Sequence, residues 1–203
     1  MSLAFDHIAV SARTLQEGVD WVEHTLGVKM AGGGAHPLMG THNRLLGLGD
    51  LYLEVIAIDP AGTAPSQPRW FDLDRFSGPP RLTNWVMRTD DMTAALAASP
   101  KGCGVPLSLA RGDYRWKMAV PRDGILPYDG AYPALIEWQT LLHPTQSLPD
   151  SGLRLTSLKI EHPQAANLQA ALALHDPRVI LVQGAHKILS ATFQTPHGER
   201  ILR

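Results

Sequence analysis

Apolar and polar side chains alternate from the start of the chain. Residues 5–11 read as a strand, with Phe5, His7 and Ala9 on one face and Ile8 and Val10 on the other. Thr14-Leu-Gln-Glu17 then matches a capping box, and Leu15, Val19, Val22 and Leu26 recur at helical spacing until Gly27 ends the run. Gly32, Gly33 and Gly34 read as a flexible loop. Strands follow over 41–48 and 51–58, joined by the tight turn Gly49-Asp50. Residues 60–80 are rich in Pro, Gly and Ser and read as a linker or lid, which Trp70, Phe71 and Phe76 should pin against the protein.

The order of elements then repeats. A strand over 82–88 leads to a short helix carrying Met92, Ala95 and Leu96, with Thr89 or Asp90 as its cap. A break at Gly102–Gly104 precedes strands over 105–110, 114–120 and 134–140. A shorter third pattern begins at Gly152. It has a strand over 153–160, a helix opened by Pro163, strands over 179–182 and 188–195, and a short one at Ile201-Leu202. The pattern predicts an α+β fold. It places two βαβββ modules over 1–59 and 81–144, and 152–203 adds a partial βαββ module.

Composition narrows the partners. With 44% hydrophobic and 18% charged residues, the chain can bury a substantial core. A formal net charge of −1 supplies no basic excess for nucleic acid or an anionic membrane. The N-terminal segment has neither signal nor transit features, and no apolar run approaches the roughly 20 residues that span a bilayer. A soluble, cytoplasmic protein is therefore expected. Cys103 is the single cysteine and reads as an incidental loop thiol.

Four polar residues stand inside apolar strands. His7 lies in the first strand and Glu54 in Leu-Tyr-Leu-Glu-Val-Ile-Ala. Element-by-element alignment places Asn84 opposite His7, and Glu137, in Ala-Leu-Ile-Glu-Trp-Gln, opposite Glu54. If the flanking apolar residues pack under the helices, all four turn to the helix-free, concave face. Carboxylates there need a metal, water or a cationic partner, and an imidazole with two carboxylates forms an N and O donor set for a hard divalent ion. Other readings stand beside this one. His7 alone reads as a core histidine bonded to a carbonyl, and both glutamates could pair with Arg44, Arg88 or Arg115. His42 lies on a strand near the cavity. Arg115 and Lys117 share a strand face and could meet an anionic substrate.

Asp-His-Ile-Ala-Val, the helix, Gly-Thr-His-Asn-Arg-Leu-Leu-Gly-Leu-Gly-Asp-Leu-Tyr-Leu-Glu-Val-Ile-Ala, and later Pro-Ala-Leu-Ile-Glu-Trp-Gln with His143-Pro144 resemble the glyoxalase-like proteins of the vicinal-oxygen-chelate superfamily. The likeness covers about residues 4–144 and implies that the two modules pair into a curved mixed sheet around a cavity. It implies His7, Glu54 and Glu137 as ligands of a divalent metal (Zn, Fe, Ni, Mn or Mg), with Asn84 where a second histidine often stands. It further implies a metal-dependent lyase, isomerase or dioxygenase acting on a small oxygenated molecule. Glu54 or Glu137 would be the catalytic base, and His42, Asn84, Arg115 and Lys117 would meet the substrate. The rival on the same scaffold is a non-catalytic protein that sequesters a small molecule. Pairing of modules within one chain builds the cavity without a second copy, and a homodimer through strand edges is compatible with it.

Overall fold

Apolar residues on alternate strand positions must be covered on both faces of a sheet, and here each face has its own cover. A computed structural model describes residues 1–203. The first module runs β1 (Leu3–Ser11), α1 (Leu15–Leu26), β2 (Gly33–His36), β3 (Thr41–Gly47) and β4 (Tyr52–Ile58). The linker contains Trp70–Arg75, short helical turns interrupted by left-handed backbone at Phe71 and Asp72. The second module runs β5 (Arg81–Thr89), α2 (Met92–Ala98), β6 (Val105–Arg111), β7 (Tyr114–Val120) and β8 (Ala134–Trp138). After a one-turn helix α3 (Pro144–Ser147) comes the C-terminal unit: β9 (Arg154–His162), α4 (Ala165–Ala171), β10 (Val179–Gln183), β11 (Ile188–Thr195) and β12 (Gly198–Leu202). No helix is long and apolar enough to cross a membrane.

The two modules form one eight-stranded sheet in the order β2-β3-β4-β1-β5-β8-β7-β6. β1 and β5 pair antiparallel at its centre, whereas each joins its own module's last strand in parallel. The sheet curls until its outer strands meet. Arg111 of β6 reaches His36 of β2 at 3.3 Å and Asn43 of β3 at 2.9 Å. This α+β architecture of paired, curved modules is the one expected from the pattern together with the resemblance. The four-stranded C-terminal sheet, β10-β9-β11-β12, lies over the helical side. Leu155, Leu158, Ile160, Leu189 and Phe193 join Ile8, Val10, Val22, Leu53, Trp85 and Leu135 in one continuous core. A second core fills the concave side, where Ala9, Ile56, Val86 and Ile136 meet Trp70, Phe71, Trp116 and Met118.

Three local expectations change. Residues 33–36 are an edge strand, not a loop: Gly33 packs so tightly on β3 that a Cβ there would stand 2.0 Å from the Asn43 carbonyl oxygen. Asp91, rather than Thr89 or Asp90, caps α2 through the Ala94 amide. Thr14 caps α1 as expected, but the Glu17 carboxylate turns to Arg13 instead of closing the box.

Candidate functional site

Two bulges at the module junction decide which side chains enter the cavity. In the β1–β5 register Phe5 pairs with Met87 and His7 with Val86, which leaves Asp6 as the extra residue. Phe5 therefore packs with Ile8 and Val10 on the helical side, and the expectation that it shares a face with His7 is corrected. The same step recurs at Thr83, between Leu82 and Asn84. The pairs His7–Val86 and Ala9–Asn84 are thus related by a pseudo-twofold axis through Ile8 and Trp85, and Asn84 is the true counterpart of His7.

His7 is buried and stacks on Tyr52 with ring centroids 4.3 Å apart. Its Nδ1 donates to Asp6 Oδ1 at 2.6 Å, and its Nε2 faces Glu54 Oε2 at 3.6 Å. Asp6 is fully buried and also accepts hydrogen bonds from Trp138 Nε1 (3.1 Å) and His143 Nε2 (3.0 Å). Glu54 Oε1 accepts from the Asn43 amide at 2.6 Å. Burial opposes charge on all three ionisable groups, but mutual hydrogen bonding outweighs it. The His7 pKa rises to about 9, Glu54 falls to about 2, and Asp6 is held well below the usual carboxylate range. At neutral pH the site holds an imidazolium between two carboxylates. His36 differs: burial dominates there and lowers its pKa to about 4, so it is neutral.

These shifts carry a sign. His7 has the higher pKa in the fold, so its contribution to stability is complete below about 6.5 and is lost as pH rises towards 9. Glu54 has the lower pKa, so its contribution is present above about 4.5 and is lost as pH falls towards 2. Melting temperature measured across the alkaline window should decline in the native protein, and the decline should be absent from His7→Gln.

The cavity that these residues line is narrow, with a volume of about 40 Å³. The first module contributes a polar wall of His7, His36, Asn43, Tyr52 and Glu54, and the second contributes Arg111, Trp116, Met118, Ile136 and Trp138. Trp70 and Phe71 of the linker complete it. Trp116 and Trp138 lie 5.7 Å apart, and His36 meets the Trp70 ring edge-on at 5.2 Å. The Trp70 indole N–H is buried without a hydrogen-bond partner. Arg111 uses Nη1 on Asn43 and His36 and has no carboxylate within ion-pair distance.

Of the expected site residues, only His7 and Glu54 meet in this cavity. Asn84 faces the concave side but lies beyond Phe71 in a neighbouring pocket. Glu137 is on the opposite face: Ile136 and Trp138 point inward, while its carboxylate accepts from the Met92 amide of α2 (2.9 Å) and pairs with Lys117 (3.0 Å). Register explains the correction. Ala9 pairs with Glu54, and its counterpart Val86 pairs with Ala134, so Ala134 occupies the position equivalent to Glu54. Arg115 and Lys117 also point away from the cavity, since Trp116 and Met118 line it. Arg115 bonds the Gly112 and Tyr114 carbonyls at the surface. His42 faces away from the cavity too, in a shallow pocket beside Thr14 and Leu15. Glu137→Gln is therefore expected to cost only about 0.5–1 kcal/mol of stability, through a weakened pair and helix N-terminus. It should leave ligand binding in the cavity unchanged, as a urea melt and a fluorescence titration would check.

The donors present do not fit a divalent metal. Two of the four implied positions lie elsewhere, and Glu54 Oε1 is engaged by Asn43. No three His, Cys, Asp or Glu side chains gather as a ligand group. Residues missed in the sequence are Asp6, His36, Asn43, Tyr52, Arg111, Trp116 and Trp138, whereas Trp70 was expected to pack the linker onto the protein. The one signal for Asp6 was two adjacent polar residues inside an apolar strand, which is how a bulge reads.

A family model described as a glyoxalase-like domain matches residues 5–175. A hypothetical protein from Staphylococcus aureus has a similar structure at TM-score 0.65 and 14% identity, over 92% of this chain and 88% of that one. Methylmalonyl-CoA epimerase from Mycobacterium tuberculosis gives TM-score 0.42 at 16% identity, over 66% of this chain and 85% of that one. A variant of the Streptomyces coelicolor epimerase in complex with 2-nitronate-propionyl-CoA gives 0.43 at 17%, over 70% and 100%. No curated protein matches the chain.

Proposed function

We propose that this chain, which belongs to the glyoxalase-like domain family of the vicinal-oxygen-chelate superfamily, binds and sequesters a flat, largely apolar molecule that carries an anionic oxygen group. The observation that carries this reading is an aromatic cavity that holds the Arg111 guanidinium and is bounded by Trp70, whose indole N–H is buried without a partner. A buried donor without a partner costs about 1–3 kcal/mol, and an acceptor on a ligand removes that cost. Arg111 supplies a charge-assisted bond to the same oxygen group. The indoles of Trp116 and Trp138 offer faces and edges to a ring.

The metal-assisted lyase, isomerase or dioxygenase implied by the resemblance forms no part of this reading, because its donor set is divided between two faces of the sheet. Asp6, His7 and Glu54 instead form a closed charge cluster that shapes the polar wall. Naphthoate is a suitable probe, since its binding should quench the cavity tryptophans. Saturable one-to-one quenching that persists after treatment with a chelator supports sequestration without a metal. Absence of saturable quenching, or its loss on chelation, would overturn it.

A further inference from the structure

The second pocket, of about 90 Å³, lies across Phe71 from the first and draws its walls from the linker, β5, the loop before β8, and the C-terminal unit. We propose that it is a separate binding site for a small oxyanion, the carboxylate or phosphate of an organic ligand, held by Lys187, Arg81 and the Asn84 amide.

Charge and geometry support the assignment. Three cations and two carboxylates line the pocket, which leaves an excess of positive charge. Arg75 is committed to Asp72, with Nε to Oδ1 at 2.6 Å. Arg81 bonds only the Ser77 and Pro79 carbonyls, through Nη1, and lies over the Phe76 ring. Its Nε and Nη2 make no hydrogen bond. Lys187 donates to the Asp129 backbone carbonyl at 2.5 Å and has no carboxylate within ion-pair distance. Its ammonium therefore keeps two hydrogens for a ligand. Burial lowers the Lys187 pKa from the usual lysine value, and a bound anion would offset that cost.

The donors also converge. Asn84 is buried, and its only hydrogen bond is a long one, 3.5 Å to the Gly130 carbonyl. A Cβ placed on Gly130 would stand 3.3 Å from Lys187 Nζ and 3.7 Å from Asn84 Nδ2. Glycine, with φ at 80°, thus leaves open the space that both nitrogens face. The walls are held in unusual conformations as well. The non-glycine residues with left-handed backbone are Phe71, Asp72, Tyr128 and Asp129, two tandem pairs in the two segments that bound this pocket. Such strain persists where the surroundings hold it in place, and it concentrates at binding sites. The C-terminal unit gains a role through Lys187: it completes a site at the position where the second module carries Asn84 instead of a histidine.

The test is an amide chemical-shift titration of the full chain, at constant ionic strength, with inorganic phosphate and separately with malonate. Saturable shifts confined to residues 71–76, 124–130 and 187 are expected. Saturation by phosphate alone identifies a phosphate site, by malonate alone a carboxylate site, and either result sustains the proposal. Lys187→Gln should weaken binding at least roughly tenfold, whereas Arg13→Gln, on the far side of the sheet, should not. Arg81→Gln provides a second variant should the first fold poorly, and the native titration stands without either. Shifts that never saturate, or a folded Lys187→Gln protein that binds as the native one does, would overturn it. The first cavity's ligand plays no part in this measurement, so the two proposals stand or fall separately.

Discussion

Replacing Asp6 with alanine is expected to lower the unfolding free energy by about 3–5 kcal/mol, the range seen when one member of a buried ionic cluster is removed. Asp6 accepts hydrogen bonds from His7, Trp138 and His143, and the Arg88 guanidinium lies 3.8 Å away. Deleting the carboxylate leaves three donors unsatisfied where water is excluded. It also leaves the His7 imidazolium facing Glu54 alone, at 3.6 Å. The residues so disconnected belong to the β1 bulge, the end of β8 and the cap of α3, so both modules should loosen at their junction. Asp6→Asn keeps an acceptor while removing the charge and should cost clearly less. Urea denaturation of both variants measures the difference. A loss below about 1 kcal/mol for Asp6→Ala, ordinary for a surface change, would show that the cluster does not hold the modules together.

The largest expected effect on binding is at Arg111. Arg111→Gln should weaken naphthoate binding by about 30-fold, the equivalent of one charge-assisted hydrogen bond of about 2 kcal/mol. Binding of neutral naphthylmethanol should change less than about threefold, since the aromatic walls are untouched. This contrast separates loss of charge recognition from general damage to the pocket. It matters because Arg111 also closes the sheet onto Asn43 and His36. Arg111→Lys keeps the charge without the planar fork and should recover part of the affinity. Equal losses for both probes would assign Arg111 a purely structural role.

What could be read along the chain was local. The strand period and cap chemistry placed α1, β3, β4, β7 and β11 within a residue or so, because each is set by neighbours in sequence. His7 and Glu54 were found because each is a lone polar group with apolar residues on both sides. The same rule failed at Glu137. Flanking apolar residues reveal a face only when one face is apolar, and β8 is buried on both: Leu135 under the helices, Ile136 in the cavity. An offset of three positions from the true counterpart, Ala134, is odd, and an odd offset turns a side chain to the other face. The Asp6 bulge likewise breaks the alternation on which the face assignment of Phe5 relied. Arg111 was out of reach for a different reason. It enters the site because the two ends of an eight-stranded sheet curl together, and no short stretch of sequence encodes that closure. Similarly, Gly33-Gly34 has the composition of a loop but forms an edge strand, because β3 leaves no room for a side chain at Gly33.

A crystal structure of the complex with naphthoate puts the central claim to its most direct trial. The ring should lie among Trp70, Trp116 and Trp138, with its carboxylate on Arg111 and within reach of the Trp70 N–H, and no metal ion between His7 and Glu54. A carboxylate bound instead to a metal held by those two residues, or a ring seated outside this cavity, would contradict it.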